Sequence, residues 1–281
     1  MGNVAIVTDS TANIPDELVQ ELNIHVVPVW LYWQGQGLRD GLDITAGQLY
    51  RLMREDKHLP STAAPSVGDF LSVYTRLSRE AEGIVSIHVS SELSGIYNAA
   101  LTAAKLVENV SIQVVDSRSG AMGHGFVILE AARVAAAGRP LEEVVAKARD
   151  TSSKVNVLVT LDTLEYLHRG GRVPAVAALV GSLLKINPIV YITRDGHADV
   201  LERPRTKAMA VRRMVEIMEQ QVGSNPVHAA VVHADALEEA ERLKEELASR
   251  FHCLELLLTE FTPVMGAHTG PGVLGVVFYM E

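Results

Sequence analysis

The chain has 281 residues, 48% of them hydrophobic and 21% charged, enough for a sizeable core in one large or two ordinary domains. Its net charge is −9, with 12 basic against 18 acidic groups in residues 1–150 and 13 against 16 in the rest, so neither half has the positive excess that neutralising nucleic-acid phosphates requires. Cys253 is the only cysteine, which excludes an intrachain disulfide and a cysteine-based zinc site.

The first residues pass directly into a strand pattern, Val4 to Val7, with no basic or long apolar leader. No secretion signal is expected. Asp9-Ser-Thr-Ala-Asn13 turns, and Asn13 or a neighbour can cap a helix with Pro15 in its first turn. His25 to Leu31 is the next strand. Thr45 and Gln48 have the spacing of a capping box before Leu49, Leu52 and Met53. Pro60 to Pro65 reads as a loop, and Ser66 caps a helix with Phe70, Val73, Tyr74 and Leu77 on its apolar face. Strands at Gly83–Val89 and Ile112–Val115 follow, separated by a helix from about Gly95. A long alanine-rich helix covers Gly123 to Ala137, and another begins near Pro140. This βαβα order predicts a mostly parallel sheet with helices on both faces. Ligands are then expected beyond the carboxyl ends of its strands.

The second half reads differently. After a strand at Val155–Thr160 come two short helices around His168-Arg-Gly-Gly-Arg172. The soft segment Val173 to Leu184 is interrupted by Pro174, Gly181 and Ser182, and a spanning helix needs about 20 apolar residues. A cytoplasmic protein without stable membrane insertion is the expectation. Ile186–Thr193 and Ala198–Arg203 flank Asp195-Gly196, a hairpin signal. Helices at Lys207–Gln221 and Leu237–Ser249 alternate with strands at His228–Val232 and Leu254–Leu258, and Val273–Met280 is the last strand. A hairpin inside this pattern predicts a mixed sheet. The expected fold class is α/β with two domains, 1–154 and 155–281.

Three segments concentrate polar chemistry. Ser61 and Thr62 lie in the Pro-bounded loop, where capping and turn chemistry are the ordinary use of such residues. Ser94 follows a strand and opens a helix. It serves either as a plain N-cap or, with the N–H groups at Ser94–Gly95, as an anion cradle. In Phe261-Thr-Pro-Val-Met-Gly-Ala-His-Thr-Gly-Pro-Gly272, one histidine, His268, is framed by three glycines and Pro271. That framing suits either a structural histidine or one delivered to a ligand. Arg169-Gly-Gly-Arg172 reads as a helix C-cap, with phosphate binding the lesser option. Arg203 to Arg213 holds five basic residues and no acidic one in an acidic chain, a reversal of sign suited to docking an acidic partner. There is no P-loop, dinucleotide fingerprint, metal-binding histidine pair or nucleophile elbow. No metal, nucleotide or other cofactor is expected.

Taken together, Asp9-Ser-Thr-Ala-Asn13, Ser61-Thr62, Leu93-Ser-Gly-Ile-Tyr97, Val115-Asp-Ser117, Leu164-Glu-Tyr-Leu-His-Arg-Gly-Gly-Arg172, Lys185-Ile-Asn-Pro188 and His268-Thr-Gly-Pro-Gly272 resemble the DegV family from end to end. Its better-understood members are the fatty-acid-binding subunits of bacterial fatty acid kinase. The resemblance implies a two-domain α/β fold that binds one long-chain fatty acid, with no catalytic residue of its own. It implies that Thr62, Ser94 and Gly95 meet the carboxylate, with His268 completing the network. It also implies that Arg205, with Arg203 beside it, docks the kinase catalytic subunit. Ala63-Ala64 departs from the family's common Ser-Gln and removes two polar side chains beside the head group. The alternative, from another class, is a serine hydrolase acting on a lipid ester, with Ser94 as nucleophile, His268 as base and an Asp such as Asp9 as orienter. A weaker third reading is a transcription or signalling accessory protein working through the basic stretch.

Overall fold

The structure, a computed structural model, describes residues 3–56, 58–173 and 186–281. The soft segment after Val173, the second of the two short helices expected near Arg172, and Lys185 lie outside the described residues.

Four short strands, β1 (Val4–Asp9), β2 (Ile24–Val27), β6 (Gly83–His88) and β7 (Ser111–Asp116), form one sheet in the order β2-β1-β6-β7. Every pairing in it is parallel. β6 is buried along its whole length, which requires cover on both faces. Helices α3 (Val67–Leu77) and α4 (Ile96–Ala104) pack together as one cover, and α5 (Ala121–Ala136) and α6 (Leu141–Lys154) as the other. The expected capping box is present at Thr45 of α2 (Ala46–Glu55), and the expected cap at Ser66 of α3 forms a capping box with Asp69. Asn13 does not cap α1 (Asp16–Glu21). It sits at φ 58° and donates its Nδ2 to Glu260 O at 2.8 Å.

A second sheet runs β10-β9-β8-β13-β11-β12, from β8 (Asn156–Thr160), β9 (Ile189–Ile192), β10 (Ala198–Glu202), β11 (Val227–Ala234), β12 (Cys253–Glu260) and β13 (Val273–Tyr279). β11 and β12 are parallel and the other pairings antiparallel, so the sheet is mixed as its hairpin requires. Helices α8 (Lys207–Val222) and α9 (Leu237–Arg250) cover it, after the short α7 (Glu165–Gly170). α6 ends at Lys154 and β8 begins at Asn156, which supports our proposal to divide the chain at 154/155.

α5 joins the two halves. It packs on β1 and β6 of the first sheet and on β8, β11 and β13 of the second. Residues 121–132 of this helix are all buried. A helix buried on every side is what a position between two sheets demands. The larger hydrophobic core accordingly mixes Val7, Leu31, Phe70 and Ile87 with Val157, Val232, Phe261 and Tyr279.

Two elements differ from expectation. His25–Leu31 is not one strand: Pro28 interrupts it, and β3 (Trp30–Trp33) turns into a separate antiparallel sheet, β4-β3-β5, with β4 (Gln36–Arg39) and β5 (Ser61–Ala63). The Pro60–Pro65 loop therefore contains a strand. Phe261–Gly272 is likewise not a plain loop. It holds α10 (Pro263–Thr269), with proline at the first helical position, where its missing N–H costs nothing.

Candidate functional site

Strand alternation selects which hydroxyl of the Ser61-Thr62 pair turns inward. β5 pairs with β3, Leu31 opposite Thr62, and Ser61 and Ala63 are exposed while Thr62 is half-buried. Across from Thr62 stands α10. Its His268 Nε2 lies 2.8 Å from Thr62 Oγ1, joining residues 206 positions apart.

The imidazole is tightly seated. A Cβ added at Gly170 would lie 2.9 Å from His268 Nδ1, and one added at Gly266 would lie 2.5 Å from the Tyr50 hydroxyl. α10 is thus wedged between α2 and α7 with no room for side chains at those two positions. Burial, with the Arg172 guanidinium beside it, pushes the His268 imidazole down to about 4. At neutral pH it is an uncharged ring that can donate one hydrogen bond and accept another.

Ser94 sits before α4. Its N–H is spent on Ser90 O at 3.1 Å, so the expected pair of free N–H groups at Ser94–Gly95 reduces to that of Gly95. Ser94 Oγ accepts from Ile96 N at 3.4 Å. The N-cap position of α4 is Gly95, with no side-chain cap hydrogen bond, so Ser94 is not the plain N-cap, and its own hydroxyl proton stays available. A Cβ at Gly95 would meet nothing within 4 Å, which leaves open space beside the helix start.

Thr62, Ser94, Gly95 and His268 all line one cavity of about 1130 Å³, its open mouth included. Its walls are overwhelmingly apolar. The first half contributes Val29, Val89, Leu93, Ile96 and Ala121, and the second contributes Val157, Val159, Leu161, Val190 and Phe261. Ala63 and Ala64 add methyl groups beside Thr62. A mostly apolar space with a few hydroxyls, one neutral imidazole and a helix N-terminus in its lining suits a molecule with an anionic head and a hydrocarbon body.

Sequence reasoning missed Arg172 as a lining residue of this cavity. The expected C-cap is real, with Gly171 at φ 69° closing α7, and that turn leads directly to Arg172, an exposed residue at the cavity lining. Arg203 and Arg205 are exposed and are not among the lining residues, which agrees with a surface role and not a pocket role.

The residues named for a hydrolase are not assembled. His268 bonds Thr62, and no hydrogen bond joins it to Ser94 among the described residues. Asp9 is spent elsewhere: its Oδ2 takes His88 Nδ1 at 2.9 Å, and His88 Nε2 lies 2.7 Å from Ser86 Oγ. Burial would raise the Asp9 carboxyl, but the imidazoles of His124 and His88 hold it well below the usual carboxylate range. Asp9, His88 and Ser86 resemble a triad in connectivity, yet all three are fully buried and cannot meet a substrate. Among the described residues no cluster of three or more His, Cys, Asp or Glu is placed to hold a metal, and no helix is long and apolar enough to cross a membrane.

Comparison with known proteins extends the resemblance. The family model described as "Uncharacterised protein, DegV family" matches residues 3–281. A DegV domain-containing protein of Halalkalibacterium halodurans is 34% identical over 283 residues, covering 100% of both chains. Two solved structures cover 100% of this chain and are themselves covered in full. A DegV family protein from Thermus thermophilus, described as fatty acid binding, superposes with a TM-score of 0.93 at 30% identity. DegV from Bacillus subtilis, described as a fatty acid binding protein, does so with a TM-score of 0.93 at 31% identity.

Proposed function

The chain belongs to the DegV family, and on that premise we propose that it binds one long-chain fatty acid and presents the carboxylate to an ATP-dependent fatty acid kinase for acyl-phosphate formation. The observation that carries this reading is the Thr62–His268 pair set in the wall of an otherwise apolar cavity that Ser94 and Gly95 also line.

The energetics divide the labour. Burying a dozen methylenes is worth roughly 10 kcal/mol gross at about 0.8 kcal/mol each, before ordering and association costs. Two or three hydrogen bonds to a carboxylate add about 1.5–3 kcal/mol apiece at best. The hydrocarbon therefore supplies most of the affinity, and the polar group supplies orientation. In this reading neutral His268 donates its Nε2–H to Thr62 Oγ1. That frees the Thr62 hydroxyl proton for one carboxylate oxygen, while Ser94 Oγ–H and Gly95 N–H serve the anion as well. Arg172 supplies the full positive charge in the lining and offsets the lost hydration of the anion.

The protein acts as a carrier and not as a stand-alone catalyst. The nucleotide and the phosphoryl-transfer groups are contributed by the partner, which docks at the exposed Arg203 and Arg205. A cytoplasmic setting goes with that role. Lipid extraction of the purified protein, read by mass spectrometry, should yield fatty acid near one per chain. Protein that is repeatedly empty and also fails to take up added oleic acid would overturn the proposal.

A further inference from the structure

The helix that carries His268 lacks a cap of its own. α10 begins at Pro263, which has no N–H, and the residue before it, Thr262, makes no side-chain cap hydrogen bond. The first free donor of the helix is Val264 N–H. It is taken by a residue 224 positions away: Asp40 Oδ1 accepts it at 2.9 Å. Asp40 is 2% exposed and just follows β4. Its other oxygen is held in turn, because Ser10 Oγ donates to Asp40 Oδ2 at 2.6 Å and itself accepts Val29 N–H at 3.0 Å. Asp40 N–H closes the unit on Val29 O at 2.9 Å.

Neither Asp40 nor Ser10 lines the cavity that holds Thr62 and His268, although Val29 and Val264, whose backbone N–H groups they hold, do, so direct head-group contact does not explain why a carboxylate is buried here. Its place does. A carboxylate at the start of a helix satisfies an orphan N–H and faces the positive end of the peptide dipoles. His268 follows Val264 by four residues, about one turn, so fixing the first turn fixes where the imidazole emerges. We propose that Asp40 is a positioning residue for the head-group site: it caps the His268 helix from a distance, and Ser10 locks Asp40. This rests on the reading that His268 helps hold the ligand carboxylate.

The chemistry required of Asp40 is acceptance at Oδ1, not charge. Asparagine keeps that acceptor and can donate to Ser10 in place of receiving from it; alanine keeps neither. The test is oleic acid affinity by displacement of a fluorescent fatty acid, in single variants and in an Asp40/His268 double-mutant cycle. Asp40→Ala should weaken binding about tenfold, in the range of a lost helix cap, and Ser10→Ala by about threefold. Asp40→Asn should stay within about threefold of the parent protein. On a His268→Ala background, Asp40→Ala and Ser10→Ala should cost nothing further, because their effect passes through the imidazole. A general loss of packing would not give that result.

The outcomes separate the two ideas. If His268→Ala and Thr62→Ala leave affinity intact, the head-group reading fails. If those variants weaken binding while Ser10→Ala and Asp40→Ala do not, or if the losses simply multiply on the His268→Ala background, the positioning role of Asp40 is overturned. Should Asp40→Ala not fold, Ser10→Ala carries the same cycle.

Discussion

The histidine in the cavity wall is neutral, and its neutrality is a consequence of place. The ordinary imidazole titrates near 6.5, whereas burial and Arg172 push His268 down to about 4. The unfolded chain therefore takes up this proton first as pH falls. The stability tied to neutral His268 is complete above about pH 6.5 and is lost progressively as pH drops toward 4, by about 3 kcal/mol. His268→Gln has no such proton to bind. Urea unfolding should show the parent losing roughly that much more stability than the variant between pH 7 and pH 4. Parallel curves would mean that the ring is not held neutral. In the same range, the ¹⁵N shifts of His268 should stay those of a neutral ring down to about pH 5. At this scale the sequence was informative where backbone chemistry marked the residue. Thr62, Ser94, Gly95 and His268 all lie beside glycine, proline or a helix start, and family motifs cover them. Arg172 was read chiefly as one end of a capping turn, with anion binding the lesser option. Asp40 carried no mark at all, because its partners Ser10 and Val264 are brought to it by the fold.

The elements were read well where periodicity is long and less well where it is short. α5, α8 and α9 follow from long apolar patterns, the parallel sheet from the βαβα alternation, and the β9–β10 hairpin from Asp195-Gly196. β5 has three residues, and its pairing with β3 is a tertiary fact that no local preference encodes. α10 has seven, wrapped in the glycines that argued for a loop. Those glycines have a second use: Gly266 admits the Tyr50 hydroxyl, and Gly270, at φ 76°, passes against the Tyr166 ring. The seating of α10 yields a test at a residue outside the head group. Gly170→Ala puts a methyl 2.9 Å from His268 Nδ1, and the ring must shift from its seat against Thr62. Overpacking of this kind costs about 1–3 kcal/mol, so oleic acid affinity should fall on the order of tenfold with little change in secondary structure. Unchanged affinity would show that the ring can yield without leaving its partner.

At the scale of the molecule, the cavity and the exposed pair Arg203 and Arg205, the docking site we propose, lie apart. Ala198 of β10 lines the cavity, and Arg203 lies five residues further along, about 16 Å at the rise of a strand. Arg205→Ala should therefore leave fatty acid binding intact and lower acyl-phosphate formation in the presence of the kinase subunit. A variant that no longer retains lipid would contradict the separation. The mixed second half, with its hairpin, was legible in outline. That the halves would share α5 was not, since an alanine-rich helix reads the same whether one sheet or two sheets lie against it.

Because α5 is clasped from both sides, neither half can be taken away without stripping the other. Residues 1–154 expressed alone would show water a whole flank of α5, and residues 155–281 would lose the rod that backs β8, β11 and β13. Melting should accordingly be a single calorimetric event in which both sheets dissolve at one temperature, and fragments cut at the domain boundary should regain structure only when mixed.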